Sequence, residues 1–295
     1  MNAAIPNFKQ GTNSRMMIAG IQMAVPASGS NLDTMGRTVA KTMALFPATE
    51  MIVFSELVQH GPIPSNTPST QADIEKFLCE LALRNGIWLV PGSGYVRKDN
   101  GLYNHAVVIN PKGEIVGRYD KLFPFLPLET GVESGTDFLV FDIPGRGRFG
   151  VSICYDIWFP ETTRTLTSLG VEVLLHPVLT GTTDRRVELA IAQATAAMFQ
   201  CYVFDVNGLE AGGIGRSIVV DPTGVVLHQA GQRDEIFPIT IDLDLVRHVR
   251  AHGANGLGQT LKSFRDRKVV FPASKTGDAV EYLNALGPLH TIARH

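Results

Sequence analysis

Short runs that are apolar at every position recur along this chain, and they constrain its fold more than any other feature. Ile52-Val53-Phe54 and Val173-Leu174-Leu175 leave no face for water. Strands of this kind belong in sheets covered on both sides. Helical patterns separate the runs, over 31–45, 70–84, 161–169 and 184–199, and so create βα units. Hairpin signals interrupt that rhythm. Pro111-Lys112-Gly113 joins the runs 105–110 and 114–118, a Gly/Pro turn joins 138–143 and 148–153, and Asp221-Pro222-Thr223-Gly224 joins 217–220 and 225–228. A purely parallel sheet has no place for hairpins. Two mixed sheets packed together, with helices outside, accommodate both signals and make the class α/β.

Composition agrees with a large interior. Of 295 residues, 44% are hydrophobic and 18% charged, against roughly 25% charged in ordinary globular chains. No low-complexity linker, charge block or short repeat divides the chain, so one domain over 1–295 is the simplest reading, with its core over about 16–270. The segment after Lys275 is expected either to dock on a neighbouring subunit or to be mobile. A net charge of −2 gives no electrostatic footprint for nucleic acid or an anionic membrane. Cys79, Cys154 and Cys201 are far apart and form no CxxC pair, which argues against a disulfide framework or a structural zinc site. A reduced, cytoplasmic setting is expected. Met1 to Arg15 is polar and lacks the apolar core of a signal peptide. No run reaches the ~18 apolar residues of a membrane span.

Cys154 is the leading chemical candidate. It follows the apolar stretch 149–153 and precedes Tyr155-Asp156-Ile157-Trp158-Phe159-Pro160-Glu161. A thiol at such a strand-to-helix turn is placed where backbone N–H groups and a helix N-terminus favour a thiolate. Free cysteines are also among the most buried and inert side chains, and Cys79 and Cys201 read that way. Glu56 ends the run 52–55. It either turns into water or serves as a general base in an apolar cleft. Lys121 precedes Leu-Phe-Pro-Phe. Locally it reads as a surface lysine, while in a closed site the same ammonium would meet an oxyanion. Glu129 and Glu133 sit on a Pro-rich apolar loop of the kind that lines clefts. His176, after 171–175, reads as a packed strand-end histidine or a partner for the thiol. Gly212-Gly213-Ile214-Gly215 precedes a strand, so it is not a dinucleotide loop. No serine sits in a GxSxG elbow.

Order adds what single residues lack. Strand-Glu56, then Lys121 in Tyr-Asp-Lys-Leu-Phe-Pro, then Cys154 in Ser-Ile-Cys-Tyr-Asp-Ile-Trp-Phe-Pro-Glu, resembles the nitrilase, or carbon–nitrogen hydrolase, superfamily over roughly residues 16–270. Lys121 to Glu129 and Leu245 to Arg267 resemble the aliphatic amidase and formamidase branch. Tyr155-Asp156 stands where nitrilases usually have Trp-Glu, which points to an amide. Leu57 stands where amidases place an aromatic, and Phe125 where they place tryptophan, so no acyl preference transfers.

The resemblance implies a four-layer α-β-β-α sandwich and hydrolysis of a small linear carboxamide to acid and ammonia. Glu56 would be the base and Cys154 the nucleophile. Lys121 and the Tyr155 backbone N–H would meet the oxyanion, and Glu129 would hold the amide or water. Phe125 and His176 complete the expected substrate site. No metal or cofactor is implied, and the expected assembly is a homodimer or larger homo-oligomer. An N-carbamoyl-amide hydrolase or nitrilase shares this chemistry. A catalytically silent binding module of the same fold is the alternative of another class.

Overall fold

The computed structural model of the protein describes residues 14–68, 71–98, 100–126, 128–271 and 278–287. Nearly all of the polar N-terminal stretch, and half of the tail expected at a subunit contact, lie outside the described residues.

The apolar runs become two sheets. Strands β1 (Arg15–Gln22), β2 (Met51–Phe54), β3 (Trp88–Val90), β4 (Ser93–Lys98), β5 (Gly101–Ile109) and β6 (Ile115–Asp120) build the first. Strands β7 (Leu139–Ile143), β8 (Gly147–Val151), β9 (Val173–Val178) and β10 (Tyr202–Asn207) enter the second. The short β11 (Leu209–Glu210) and β12 (Gly213–Ile214) pair only with each other. Strands β13 (Ile218–Val220) and β14 (Val226–Gln229) complete the second sheet, and β15 (Glu235–Asp242) returns to the first beside β1. In each sheet three central strands are parallel, β1-β2-β3 and β8-β9-β10, and antiparallel strands flank them. The hairpins read from the Gly/Pro turns are those flanks.

Helices α1 (Leu32–Leu45) and α2 (Gln71–Asn85) cover the first sheet, and α3 (Pro160–Ser168) and α4 (Arg185–Phe199) the second. The side-chain alternation of a strand assigns the layers. Met51 and Val53 of β2 pack between the sheets with Phe149, Val151, Leu175 and Phe204. Ile52 and Phe54 pack outward with Met35 and Val39 of α1 and Leu78 of α2. On the other side Leu174 and Val203 meet Leu166, Ala192 and Phe199. Each such buried Val, Leu, Ile, Phe or Met side chain contributes about 1.5–3 kcal/mol. The result is the four-layer α-β-β-α sandwich. Helix α5 (Leu243–His252) is capped by the Asp242 side chain, which accepts from the Asp244 N–H at 3.0 Å. Helices α6 (Thr260–Arg265) and α7 (Asp278–Ala285) follow. Among the described residues no helix is long and apolar enough to cross a membrane.

The sheets are tied where their parallel strands end. The Glu56 N–H, just past β2, donates to the Val178 carbonyl at the end of β9, at 3.2 Å. Gly92 approaches the same point. Its φ is +65°, and a Cβ there would lie 1.8 Å from the Ser55 carbonyl oxygen. Gly92→Ala is therefore expected to cost about 1–3 kcal/mol or more, read as a thermal midpoint several degrees lower; an unchanged midpoint would refute the close approach.

His176 on β9 is wholly inside. Burial pulls its pKa from 6.5 to about 4, and its Nδ1 shares a hydrogen bond with the Ser152 hydroxyl at 2.7 Å. A folded pKa below the unfolded one means that this stability is present above pH 6.5 and lost as pH falls through about 4, because only the unfolded chain takes up the proton. The loss is expected to reach ~3 kcal/mol. Urea titrations should show that His176→Gln removes this portion of the pH slope; parallel slopes would argue against it.

Candidate active site

The site lies beyond the carboxyl ends of β2, β6, β8 and β9, where α/β sheets leave a crevice. Glu56 follows β2, Lys121 follows β6, and Cys154 follows β8 after Ser152-Ile153. All three, with Glu129 and Phe125, line one cavity of about 320 Å³. Lys121, Glu56 and Glu129 are 1%, 2% and 4% exposed, so three charged groups sit in the interior and must satisfy one another. Lys121 Nζ donates to Glu56 Oε1 at 2.8 Å and to Glu129 Oε2 at 2.6 Å. The Phe125 N–H donates to Glu129 Oε2 at 2.6 Å, which bends the Pro-rich loop onto the site.

Asn104 completes this cluster, and sequence reasoning missed it. Its side-chain amide donates to Glu56 Oε1 and to Glu129 Oε1, each at 2.8 Å. It is fully buried on β5. The available signal was a single asparagine within the otherwise apolar or aromatic strand around it, where an amide needs a reason to be buried. Asp156, which the sequence marked only as a pointer to an amide, has a bracing part as well. Its carboxylate accepts from the Tyr119 hydroxyl at 2.7 Å, the Ile153 N–H at 2.8 Å and the Phe123 N–H at 2.9 Å. It thereby braces the turn that carries Cys154. Burial raises its pKa to about 6 against the pull of those donors.

The turn that carries Cys154 is strained. Cys154 has φ +46° and Leu57, beside the glutamate, φ +52°, a region that side chains other than glycine seldom occupy. A 3₁₀ turn over Cys154–Trp158 follows, and Pro160 opens α3, as the sequence predicted. Ser93 Oγ accepts the Leu57 N–H at 3.0 Å, and Thr180 Oγ1 lies 3.6 Å from Cys154 Sγ.

The electrostatics correct one expectation. Burial, reinforced by the charge of Glu56, pushes the Cys154 thiol well above its ordinary pKa, and Lys121 opposes this without reversing it. The turn does not hold a resting thiolate, because desolvation outweighs a partial helix charge. Burial also raises Glu56, with Lys121 pulling the other way. Burial disfavours the Lys121 charge, but Glu56, Cys154 and Glu129 outweigh it and keep the ammonium protonated. A raised carboxyl beside a raised thiol is suited to passing one proton between them.

Of the other expected residues, Phe125 borders the cavity, with its ring 5.0 Å from that of Tyr155 in an edge-on arrangement. Tyr155 lines a second cavity that adjoins the first and shares Phe125, Leu128, Cys154, Leu179 and Gly212 with it. His176 lines neither; its ring is held inside by Ser152. Among the described residues no cluster of His, Cys, Asp or Glu is arranged to hold a metal ion.

Known proteins share this architecture. Residues 17–251 match the model of the carbon–nitrogen hydrolase family. A protein named nitrilase from Pyrococcus abyssi is 32% identical over 211 residues, covering 67% of this chain and 73% of its own length. A 2-oxoglutaramate amidase from Bacillus subtilis is 31% identical over 188 residues, covering 60% and 70%. Among solved structures, Nit3 of Saccharomyces cerevisiae, a nitrilase-superfamily member, superposes with a TM-score of 0.74 at 23% identity, over 81% of this chain and 94% of that one. An amidase from Nesterenkonia sp. AN1, solved in complex with butyramide, gives 0.71 at 22% identity, over 80% and 94%. These last two speak to the fold alone. Because the family match runs from the first strand of one sheet to the helix after its last, through every element that carries the buried Glu-Lys-Cys set, the chain belongs to the carbon–nitrogen hydrolase family.

Proposed function

We propose that this carbon–nitrogen hydrolase cleaves a small linear carboxamide to acid and ammonia through a thioester on Cys154. The observation that carries the reading is the convergence of Glu56, Lys121 and Cys154 on one cavity, with Lys121 held between two carboxylates. The names of the relatives, among them formamidases and amidases, support the amide over other C–N bonds.

The steps follow from the proton inventory. Substrate enters with its carbonyl carbon against Cys154 Sγ. Glu56 takes the thiol proton as sulfur attacks, so charge appears on the carbonyl oxygen rather than on a free thiolate. The Lys121 ammonium and the Tyr155 N–H meet that oxyanion. Glu56 returns the proton to the nitrogen, the C–N bond breaks, and ammonia leaves a thioester. Water then gives a proton to Glu56 and attacks the thioester carbon. The second oxyanion collapses, the acid departs, and sulfur recovers its proton from Glu56. Glu129 fixes Lys121 from the far side and orients the amide or the water. Asn104 keeps both glutamates in register. We assign His176 no contact with substrate. We also infer association of copies, supported by the exposed apolar side chains of Val270, Phe271 and Leu283 towards the C-terminal end; sedimentation velocity checks it, and a monomer at every concentration would refute it.

A nitrile is the second reading, because the Pyrococcus abyssi relative is named a nitrilase. An ammonia-release panel of short amides, N-carbamoyl compounds and nitriles separates the two. Turnover of amides is expected, and turnover of nitriles alone would overturn the amide. Cys154→Ala should abolish release, and Glu56→Gln should lower it by about 10²–10⁴-fold. Retained turnover in Cys154→Ala would end the thioester mechanism. Asn104→Ala should lower kcat by about tenfold or more through misplacement of Glu56. Since Glu56 must be unprotonated to accept the thiol proton, kcat/KM should fall as pH drops through its pKa. That midpoint is expected above the ordinary 4.5, in the direction set by burial. An acid limb at or below 4.5 would assign the base elsewhere.

A further inference from the structure

Cys154 lines two adjoining cavities, each bordered by a buried acid from a cluster of like composition, and the mechanism uses only one cluster. The first is Glu56-Lys121-Glu129. The second is Glu188-Arg185-Asp205, and it lies behind a second cavity of about 240 Å³ that also opens on Cys154. Arg185 donates to Asp205 Oδ1 at 2.5 Å and Oδ2 at 3.2 Å, to Glu188 Oε2 at 3.3 Å, and to the Arg216 carbonyl at 2.8 Å. One guanidinium thus serves two carboxylates, and with all three ionised one negative charge is in excess. Glu188 is the member that reaches the cavity. Its Oε1 accepts from the Thr180 hydroxyl at 3.1 Å and the Trp158 indole N–H at 3.4 Å. Those donors favour a carboxylate, while burial and the neighbouring Asp205 push its pKa up. A cation arriving in the cavity would relieve that burden.

The walls fit a cation and repel an anion. Asp184 is a second acid in the lining, and Phe125, Tyr155 and Trp158 bring aromatic faces. Such faces favour ammonium groups. No lysine, arginine or histidine lines the cavity among the described residues. The start of α4 at its rim offers no open donor to an anion. The N–H groups of Val187 and Glu188 already donate to the Asp184 carbonyl at 2.8 and 2.9 Å, and those of Arg185 and Arg186 donate to the Thr182 and Thr183 carbonyls.

We propose that this second cavity is the subsite for a primary ammonium group carried on the acyl chain of the substrate, with Glu188 as its counter-charge. Thr180 Oγ1 touches both Cys154 Sγ, at 3.6 Å, and Glu188, at 3.1 Å. At ordinary bond lengths that span suits an ammonium about two or three carbons from the scissile carbonyl. The inference rests on the amide reading for the bond that breaks, and on this cavity for the group recognised.

The test compares 3-aminopropanamide with butanamide, which match in heavy atoms and differ in the terminal charge, and with succinamate, which carries the opposite charge. The full-length protein is expected to favour 3-aminopropanamide over butanamide by about tenfold or more in kcat/KM, with succinamate poorest. Glu188→Gln should bring that ratio towards one, and Asp184→Asn on the half-buried rim should lower it in part. A separate arm needs no turnover: propylammonium should slow alkylation of Cys154 by iodoacetamide, propionate should not, and Glu188→Gln should abolish the protection. Protection without hydrolysis of any amide would overturn the amide reading and support the subsite. Amide hydrolysis with no preference for the ammonium and no protection would overturn the subsite alone. A preference that neither substitution changes would also overturn it, and Asp184→Asn decides if Glu188→Gln does not fold.

Discussion

The Lys121 ammonium is the group on which the site depends. Two buried carboxylates would each cost several kcal/mol if unpaired. One cation between Glu56 and Glu129, at 2.8 and 2.6 Å, lets both stay inside. The three residues come from different places: the end of β2, the end of β6 and a loop beyond it. Their pairing therefore fixes how those segments meet, and the sheets in turn hold the charges out of water. Removing the lysine would leave two buried acids without their shared cation, which is why its loss would threaten the fold.

Around that pair the chain is braced at each strained point. Cys154 and Leu57 occupy a backbone region that non-glycine residues avoid. Asp156 holds the first turn through three donors, and Ser93 holds the second. Such strain persists only where the surroundings over-determine it. The same bracing presents the Cys154 thiol, whose pKa burial raises, to the cavity that Glu56 and Lys121 also line.

Much of this was legible in advance. The strand runs, the helices and all three hairpins follow from periodicity and turn residues, and they emerged within a few residues of their expected bounds. Glu56, Lys121, Glu129 and Cys154 were named from their positions and from an ordered resemblance, and they meet at one cavity. Asn104 was not found: a lone asparagine in a mostly apolar strand hints at a buried amide, but only the fold shows that it bridges two glutamates. Glu188 and Arg185 fall within the helical pattern 184–199, which says nothing of their partners. Only α4 packing on β10 turns them inward to Asp205. His176 was expected near substrate and is held in the core by Ser152, since two adjacent strands decide which way a strand-end ring points.

The sequence by itself determined the alternation of strands and helices and the two covered sheets. Those depend on spacing and on neighbours a few positions away. The tertiary structure alone decided that Lys121 is buried rather than on the surface, that the thiol is raised rather than lowered, and that a second acidic cavity opens on the same sulfur. Burial and charge are sums over residues brought together from across the chain, and no local pattern contains that sum.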